Sequence, residues 1–61
     1  MPVVEVKSVG KLTKVQKAEI SKQFSETLLK VAGKPVDATY IIFNEYDNES
    51  FAWKGKLFSD L

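Results

Sequence analysis

The sequence is constrained most strongly by a helix with clear signals at both ends, set between two apolar segments. Thr13 and Gln16 have the spacing of a capping box, in which each side chain satisfies a backbone N–H at the helix start. Gly33 is placed to end the helix in the left-handed conformation, and Pro35 prevents its continuation. The sequence therefore predicts a helix over residues 14–32.

The segments on either side of this helix have the composition of β-strands. PVVEVKS (residues 2–8) carries valines on both of its alternating faces, and ATYIIFNEY (residues 38–46) is rich in β-branched and aromatic residues. Strand, helix and strand of this length predict a parallel pair with a right-handed crossover. The remaining segment, FAWKGKLFSDL (residues 51–61), predicts a short hairpin or arm. The predicted fold class is α/β, with residues 1–61 forming a single domain.

The chain has few means of stabilising itself. A domain of 61 residues buries only about 60% of the surface that its unfolded chain exposes. It has no cysteine, which excludes disulfides and thiolate sites, and no histidine, which argues against zinc. No metal and no cofactor are expected. Association with other copies of the chain is the remaining source of buried area.

The helix carries apolar residues on two sides. A helix that covers one small sheet needs one apolar stripe, so a second stripe indicates a further surface to be covered. One stripe consists of Ile20, Phe24, Leu28 and Val31, and the second of Val15, Ala18 and Leu29. The pattern favours an oligomer.

Composition also excludes several functions. The net charge is +1 with dispersed basic residues, which argues against nucleic acid or an anionic membrane as a partner. No transmembrane or targeting segment is apparent, and the absence of cysteine is compatible with the cytoplasm, where we expect the protein.

The missing residue types also restrict the chemistry. Without His or Cys, neither a Ser–His nor a Cys–His pair can form. An enzymatic acid or base must then come from Asp, Glu, Lys, Tyr or the amino terminus.

The order of elements resembles the tautomerase superfamily, specifically the short-chain 4-oxalocrotonate tautomerase-like group. The resemblance extends over almost the whole chain, through MPVVEV, KVQKAEI, AGKP, YIIFNEY and the tail FAWKGK. It implies that Met1 is removed and that the amine of Pro2 is the general base in keto–enol proton transfer on a small unsaturated 2-oxo acid. It also implies a dimer with a four-stranded sheet and two helices, assembly of dimers into a homohexamer, and sites between subunits.

The resemblance is incomplete at the substrate-binding positions. The two arginines of the family fall on Leu12 and Tyr40, neither of which can hold a carboxylate bidentately. Lys11 is a neighbouring cation, and Lys7, Lys54 and Lys56 are other cationic candidates; a lysine would bind as a point charge. Tyr40 could donate a hydrogen bond to an enolate oxygen. The backbone amide that binds substrate in the family falls on Val9.

Two aromatic residues complete the implied site. The aromatic wall of the family site falls on Phe51, with Trp53 close by. The carboxylate that activates water in the hydrating relatives is replaced by Trp53, which disfavours hydratase chemistry.

Alternative interpretations exist for each of these residues. Pro2 is also permitted as the first residue of a strand, and Tyr40, Phe51 and Trp53 can equally be interface aromatics. Glu45 is interpreted as a polar residue at the end of a strand, without a chemical role. A second hypothesis for the whole chain is a catalytically silent structural or ligand-binding oligomer on the same scaffold. Retention of Met1 would favour it, because the nitrogen of Pro2 would then be a non-basic amide.

Overall fold

The computed structural model describes all residues from Met1 to Leu61 and consists of a β-α-β unit followed by a small hairpin. Strand β1 and helix α1 come first, β2 follows the helix, and β3 and β4 form the hairpin. The elements are β1 (Val3–Val9), α1 (Lys14–Ala32), β2 (Tyr40–Tyr46), β3 (Ala52–Trp53) and β4 (Lys56–Leu57), with short 3-10 turns at Val36–Ala38, Asn48–Ser50 and Phe58–Asp60. This arrangement confirms the predicted fold class.

Strands β1 and β2 pair in parallel, as predicted. Their register runs from Val3 opposite Tyr40 to Val9 opposite Tyr46. The second strand begins two residues later than the sequence predicts, at Tyr40. The reason is local, because the backbone amides of Ala38 and Thr39 donate to the carbonyls of Pro35 and Val36, 3.1 and 3.2 Å away, and form a turn instead of extending the ladder.

Both predicted ends of α1 are confirmed. The Thr13 hydroxyl accepts from the Gln16 amide at 3.1 Å, and the Gln16 side chain accepts from the Thr13 amide at 2.9 Å. Gly33 lies in the left-handed region with φ 68°, and its amide donates to helix carbonyls. The capping box and the glycine therefore fix a helix of 19 residues.

Only part of the first apolar stripe of α1 is covered within one chain. Ile20 and Leu28 are half-buried, but Phe24 is 42% and Val31 82% exposed, and the buried helix residue is Ser25. The covered face of α1 is therefore not centred on this stripe, and Phe24 and Val31 remain open.

A single chain leaves its apolar surfaces open. No hydrophobic residue is buried, and Val15, on the second helix stripe, is 78% exposed. The radius of gyration is 14.7 Å, compared with about 10.5 Å for a compact chain of this length. None of the helices combines the length and the apolarity that crossing a bilayer requires. The core that the sequence pattern implies is thus not closed within one chain.

Candidate active site

One end of the parallel sheet carries Pro2 and Tyr40. Pro2 is half-buried and directly precedes β1, so its missing N–H costs the ladder nothing. The backbone amide of Tyr40 donates to the Pro2 carbonyl at 3.0 Å. The side chain of Tyr40, opposite Val3, is exposed. Backbone pairing therefore fixes the position of the proline ring at the start of the sheet.

The opposite end of the sheet carries Val9 and Lys11. Val9 ends β1, and the amide of Gly10 donates to the Tyr46 carbonyl at 2.8 Å. Gly10 has φ 93°, a conformation that turns the chain toward α1 and that other residues rarely adopt. The ends of a seven-residue strand lie roughly 23 Å apart. One chain therefore does not bring Val9 or Lys11 to Pro2.

A cleft of about 380 Å³ opens at this second end, where both strands finish. Its lining combines a cation with two carboxylates. It is lined by Gly10, Lys11, Glu45, Tyr46, Asp47 and Asn48. No group of three or more metal-ligating side chains converges here or elsewhere in the structure.

Glu45 connects the cleft to the loop before α1. Its Oε2 accepts from the Leu12 backbone amide at 2.7 Å, and its Oε1 accepts from Lys17 Nζ in a salt bridge. These two hydrogen bonds, from Lys17 first and then from Leu12, hold the pKa of the Glu45 carboxyl below its ordinary value. The charges of Lys17 and Lys11 act in the same direction, and partial burial opposes them. Glu45 is therefore an ionised anchor for the loop.

Sequence reasoning missed this role of Glu45, which was interpreted as a polar strand-end residue. A signal was present in the alternation of β2, which places Glu45 on the same face as Ile41 and Phe43 and so toward the helix. The first turn of α1 also contains lysines and no acidic residue. A carboxylate from another element is favourable there, because it complements the positive end of the helix dipole.

Phe51 and Trp53 lie in the C-terminal segment. The ring of Phe51 is 5.6 Å from that of Tyr46 and 5.5 Å from that of Phe58, edge-on to the latter. Phe51 thus adjoins the cleft through Tyr46. Trp53 lies further out on the β3–β4 hairpin and is 57% exposed, with Lys54 Nζ 4.6 Å from its ring centroid.

The hairpin itself confirms the predicted tail. Lys54 and Gly55 connect β3 and β4 with φ 53° and 80°, the positive angles of a type I′ turn.

The proposed site residues fall into two groups in the structure. Pro2 and Tyr40 lie at one end of the sheet, whereas Val9, Lys11 and Phe51 lie at the other, with Trp53 on the arm beyond.

The chain is similar to known proteins over almost its whole length. The sequence matches the family "Tautomerase enzyme" over residues 2–61. The chain belongs to the tautomerase family, whose members are generally isomerases or related enzymes. No curated protein sequence matches it.

Solved structures agree with this assignment. A 4-oxalocrotonate tautomerase homologue, TTHB242, is 26% identical with a TM-score of 0.90, over 100% of this chain and 97% of that chain. YwhB, another homologue of 4-oxalocrotonate tautomerase, is 25% identical with a TM-score of 0.89, over 98% of each chain. A heterohexameric 4-oxalocrotonate tautomerase from Chloroflexus aurantiacus J-10-fl is 18% identical with a TM-score of 0.85, over 100% and 98%. The last comparison supports the fold alone.

Proposed function

We propose that the protein is a tautomerase that uses the amine of Pro2, freed by removal of Met1, as the general base in keto–enol proton transfer. The observation that carries this proposal is the position of Pro2, directly before β1 and held by the Tyr40 amide. The family match, which begins at residue 2, supports it as well. Met1 is exposed, so its bond to Pro2 is accessible.

The chemistry fits a secondary amine. An α-amino group has a pKa of roughly 7.7–8.0, which is near the value that an efficient base requires at neutral pH. The Pro2 nitrogen takes the hydroxyl proton of an enol while the O–H electrons form the carbonyl and the former C=C electrons are left on carbon. The protonated nitrogen then delivers the proton to that carbon. The amine is regenerated, and no cofactor is consumed.

The proposed site requires more than one chain. The two groups of site residues lie at opposite ends of the β1–β2 sheet, and the apolar faces of the sheet and helix are open. A dimer that places the Pro2 end of one copy against the cleft end of another would unite them. We therefore infer self-association, as a homodimer and, by trimerisation of dimers, a homohexamer.

The proposed substrate is a small enolic 2-oxo acid with one carboxylate. Leu12 and Tyr40 cannot form the bidentate contacts of arginine, so a dianion would lack its second clamp. Lys11 would attract the carboxylate, the Val9 amide and Tyr40 would bind oxygens, and Phe51 and Trp53 would line the pocket. Membranes and nucleic acids are not proposed as partners, and the cytoplasm stays the predicted location.

The alternative is a catalytically silent oligomer on the same scaffold. It is favoured by the presence of Leu12 and Tyr40 where the family has arginines. The two hypotheses differ in one measurable respect, the dependence of turnover on Pro2.

The test compares wild type with Pro2→Ala, after intact mass has confirmed that Met1 is absent from both. Ketonisation of phenylenolpyruvate and 2-hydroxymuconate is followed. General acid–base catalysis contributes about 10²–10⁴-fold, so we expect Pro2→Ala to lower kcat/KM at least about 100-fold. Phenylenolpyruvate should be the better substrate because it has one carboxylate.

The matched control is Pro35→Ala, which removes the other proline of the chain from outside the proposed site. It should keep wild-type turnover. Equal rates for wild type and Pro2→Ala would reject the enzymatic proposal and leave the silent oligomer.

A further inference from the structure

We propose that Glu45 is a positioning residue, which holds the loop of residues 10–12 so that Lys11 can bind the carboxylate of the substrate. The proposal rests on the proposed function, because it deepens the description of the same site. Glu45 would not contact the substrate. It would increase the affinity for the substrate by restraining the backbone of this loop.

The contacts place Lys11 between two fixed points. On one side, the Gly10 amide donates to the Tyr46 carbonyl at 2.8 Å. On the other, the Leu12 amide donates to Glu45 Oε2 at 2.7 Å. A hydrogen bond to a charged acceptor is stronger than one between neutral groups, so both ends of the loop are restrained. The backbone of Lys11 then has little freedom, although its side chain lies on the surface.

The salt bridge of Lys17 with Glu45 leaves the charge of Lys11 available. Lys17 Nζ contacts this carboxylate, and Lys11 lines the same cleft as Glu45. Lys17 forms the salt bridge with Oε1, whereas Lys11 forms no ion pair in the structure. An unpaired cation beside a cleft is the group that an incoming carboxylate would meet.

Charge alone predicts the opposite effect of removing Glu45. Glu45→Gln removes a negative charge from the cleft and leaves Lys17 unpaired, which would strengthen binding of an anion. A positioning role predicts weaker binding, because the loop loses its charged acceptor. The sign of the change therefore distinguishes the two explanations.

The experiment measures the dissociation constant of phenylpyruvate, a stable 2-oxo monoacid, by calorimetry on the full-length protein. The glutamine oxygen can still accept from the Leu12 amide, but a bond to a neutral acceptor is weaker by an amount that corresponds to about tenfold in affinity at most, so Glu45→Gln should raise Kd by up to about tenfold. Asp47→Asn is the matched control, since it removes the same charge from the same cleft without contacting the loop. It should lower Kd, because loss of a negative charge from the cleft favours an anionic ligand.

A double-mutant cycle tests whether Glu45 acts through Lys11. If it does, Glu45→Gln should have no further effect on Kd in a Lys11→Met background. The Leu12 amide, followed by NMR, should exchange faster with solvent in Glu45→Gln while amides in the middle of α1 keep their protection. A general loss of protection would indicate a merely structural effect and would contradict the proposal.

Three results would contradict a positioning role of Glu45. Failure of phenylpyruvate to bind wild type, an unchanged or lower Kd in Glu45→Gln, or additive effects in the cycle would overturn the inference. Failure of the proposed function is separate, since it would appear as turnover independent of Pro2. Binding needs no proton transfer, so the Glu45 effect on Kd should persist in Pro2→Ala.

Discussion

At the residue scale, the start of α1 shows how one carboxylate can compensate for an unfavourable local charge. Lys14 and Lys17 lie in the first turn, where the positive end of the helix dipole favours acidic residues, and the turn contains none. Glu45 supplies the missing negative charge from β2, with its side chain 20% exposed. Its hydrogen bond to Leu12 also satisfies a loop amide just before the helix cap.

Protonation of Glu45 should therefore lower stability in acid. Because its pKa is lower in the folded state than the ordinary value of 4.5, its contribution is fully present above that value. The contribution is lost as the pH falls through the folded-state pKa. We expect the difference in urea midpoint between wild type and Glu45→Gln, at one protein concentration, to shrink below about pH 4.5.

The comparison isolates one group because a protonated carboxyl and an amide are both neutral. The other carboxylates are common to the two proteins and cancel. A difference in urea midpoint that stays constant from pH 6 to pH 2 would show that the charge of Glu45 does not stabilise the fold.

At the element scale, α1 is defined by its ends more than by its apolar pattern. The capping box and Gly33 were predictable because each depends on residues adjacent in sequence. The buried face was less predictable, since it depends on how the helix is rotated against the sheet. Phe24 and Val31 fit the first apolar stripe in the sequence, yet both are exposed, while the small side chain of Ser25 is covered.

Gly33→Ala should destabilise the helix end. An alanine at φ 68° pays a left-handed backbone penalty of about 1 kcal/mol, and an added Cβ would meet no atom within 4 Å. We expect the free energy of unfolding, from urea titration at one protein concentration, to fall by about this amount. Gly33→Asn should lose less, because asparagine tolerates this conformation better. Equal stability of Gly33→Ala and wild type would show that the cap is dispensable.

At the scale of the whole molecule, one chain exposes more surface than its size warrants. Its accessible area is 4906 Å², whereas a folded monomer of 6.9 kDa exposes about 4000 Å². The excess of about 900 Å² is close to what one partner buries in a standard interface, about 800 Å². Much of the exposed apolar surface lies on the sheet, on the second helix stripe and on the hairpin arm, where Ile42, Leu29 and Trp53 are exposed.

Leu29→Glu should disrupt the inferred oligomer. Leu29 lies on the second stripe of α1 and is half-exposed in one chain. A buried leucine contributes roughly 1.5–3 kcal/mol, so its replacement by a charge should weaken association at least about tenfold. Light scattering over a concentration series should detect smaller species. Thr27→Glu, on an exposed polar position of the same helix, should keep the wild-type mass.

The Leu29→Glu variant also tests whether the proposed active site lies between subunits. If Leu29→Glu dissociates the protein, phenylenolpyruvate turnover should fall with it, because the two groups of site residues lie at opposite ends of one chain. A wild-type protein that is monomeric at all concentrations would contradict the inferred assembly. A fully active monomer would contradict the intersubunit site.

The sequence by itself determined the order of elements, the parallel pairing and both helix caps. These features depend on local patterns, namely alternation in the strands, the Thr13–Gln16 spacing and the left-handed Gly33. The absence of His and Cys limited a possible acid or base to Asp, Glu, Lys, Tyr or the amino terminus. The choice of Pro2 among these groups, and its proposed tautomerase chemistry, came from resemblance over the whole chain.

Only the tertiary structure decided how the candidate residues are distributed. Strand length separates Pro2 and Tyr40 from Val9 and Lys11, and the fold of one chain does not bring the two ends of the sheet together. The role of Glu45 is also tertiary, since its partners Leu12 and Lys17 lie 33 and 28 residues away. Such contacts depend on how the helix returns across the sheet, which is a property of the folded chain.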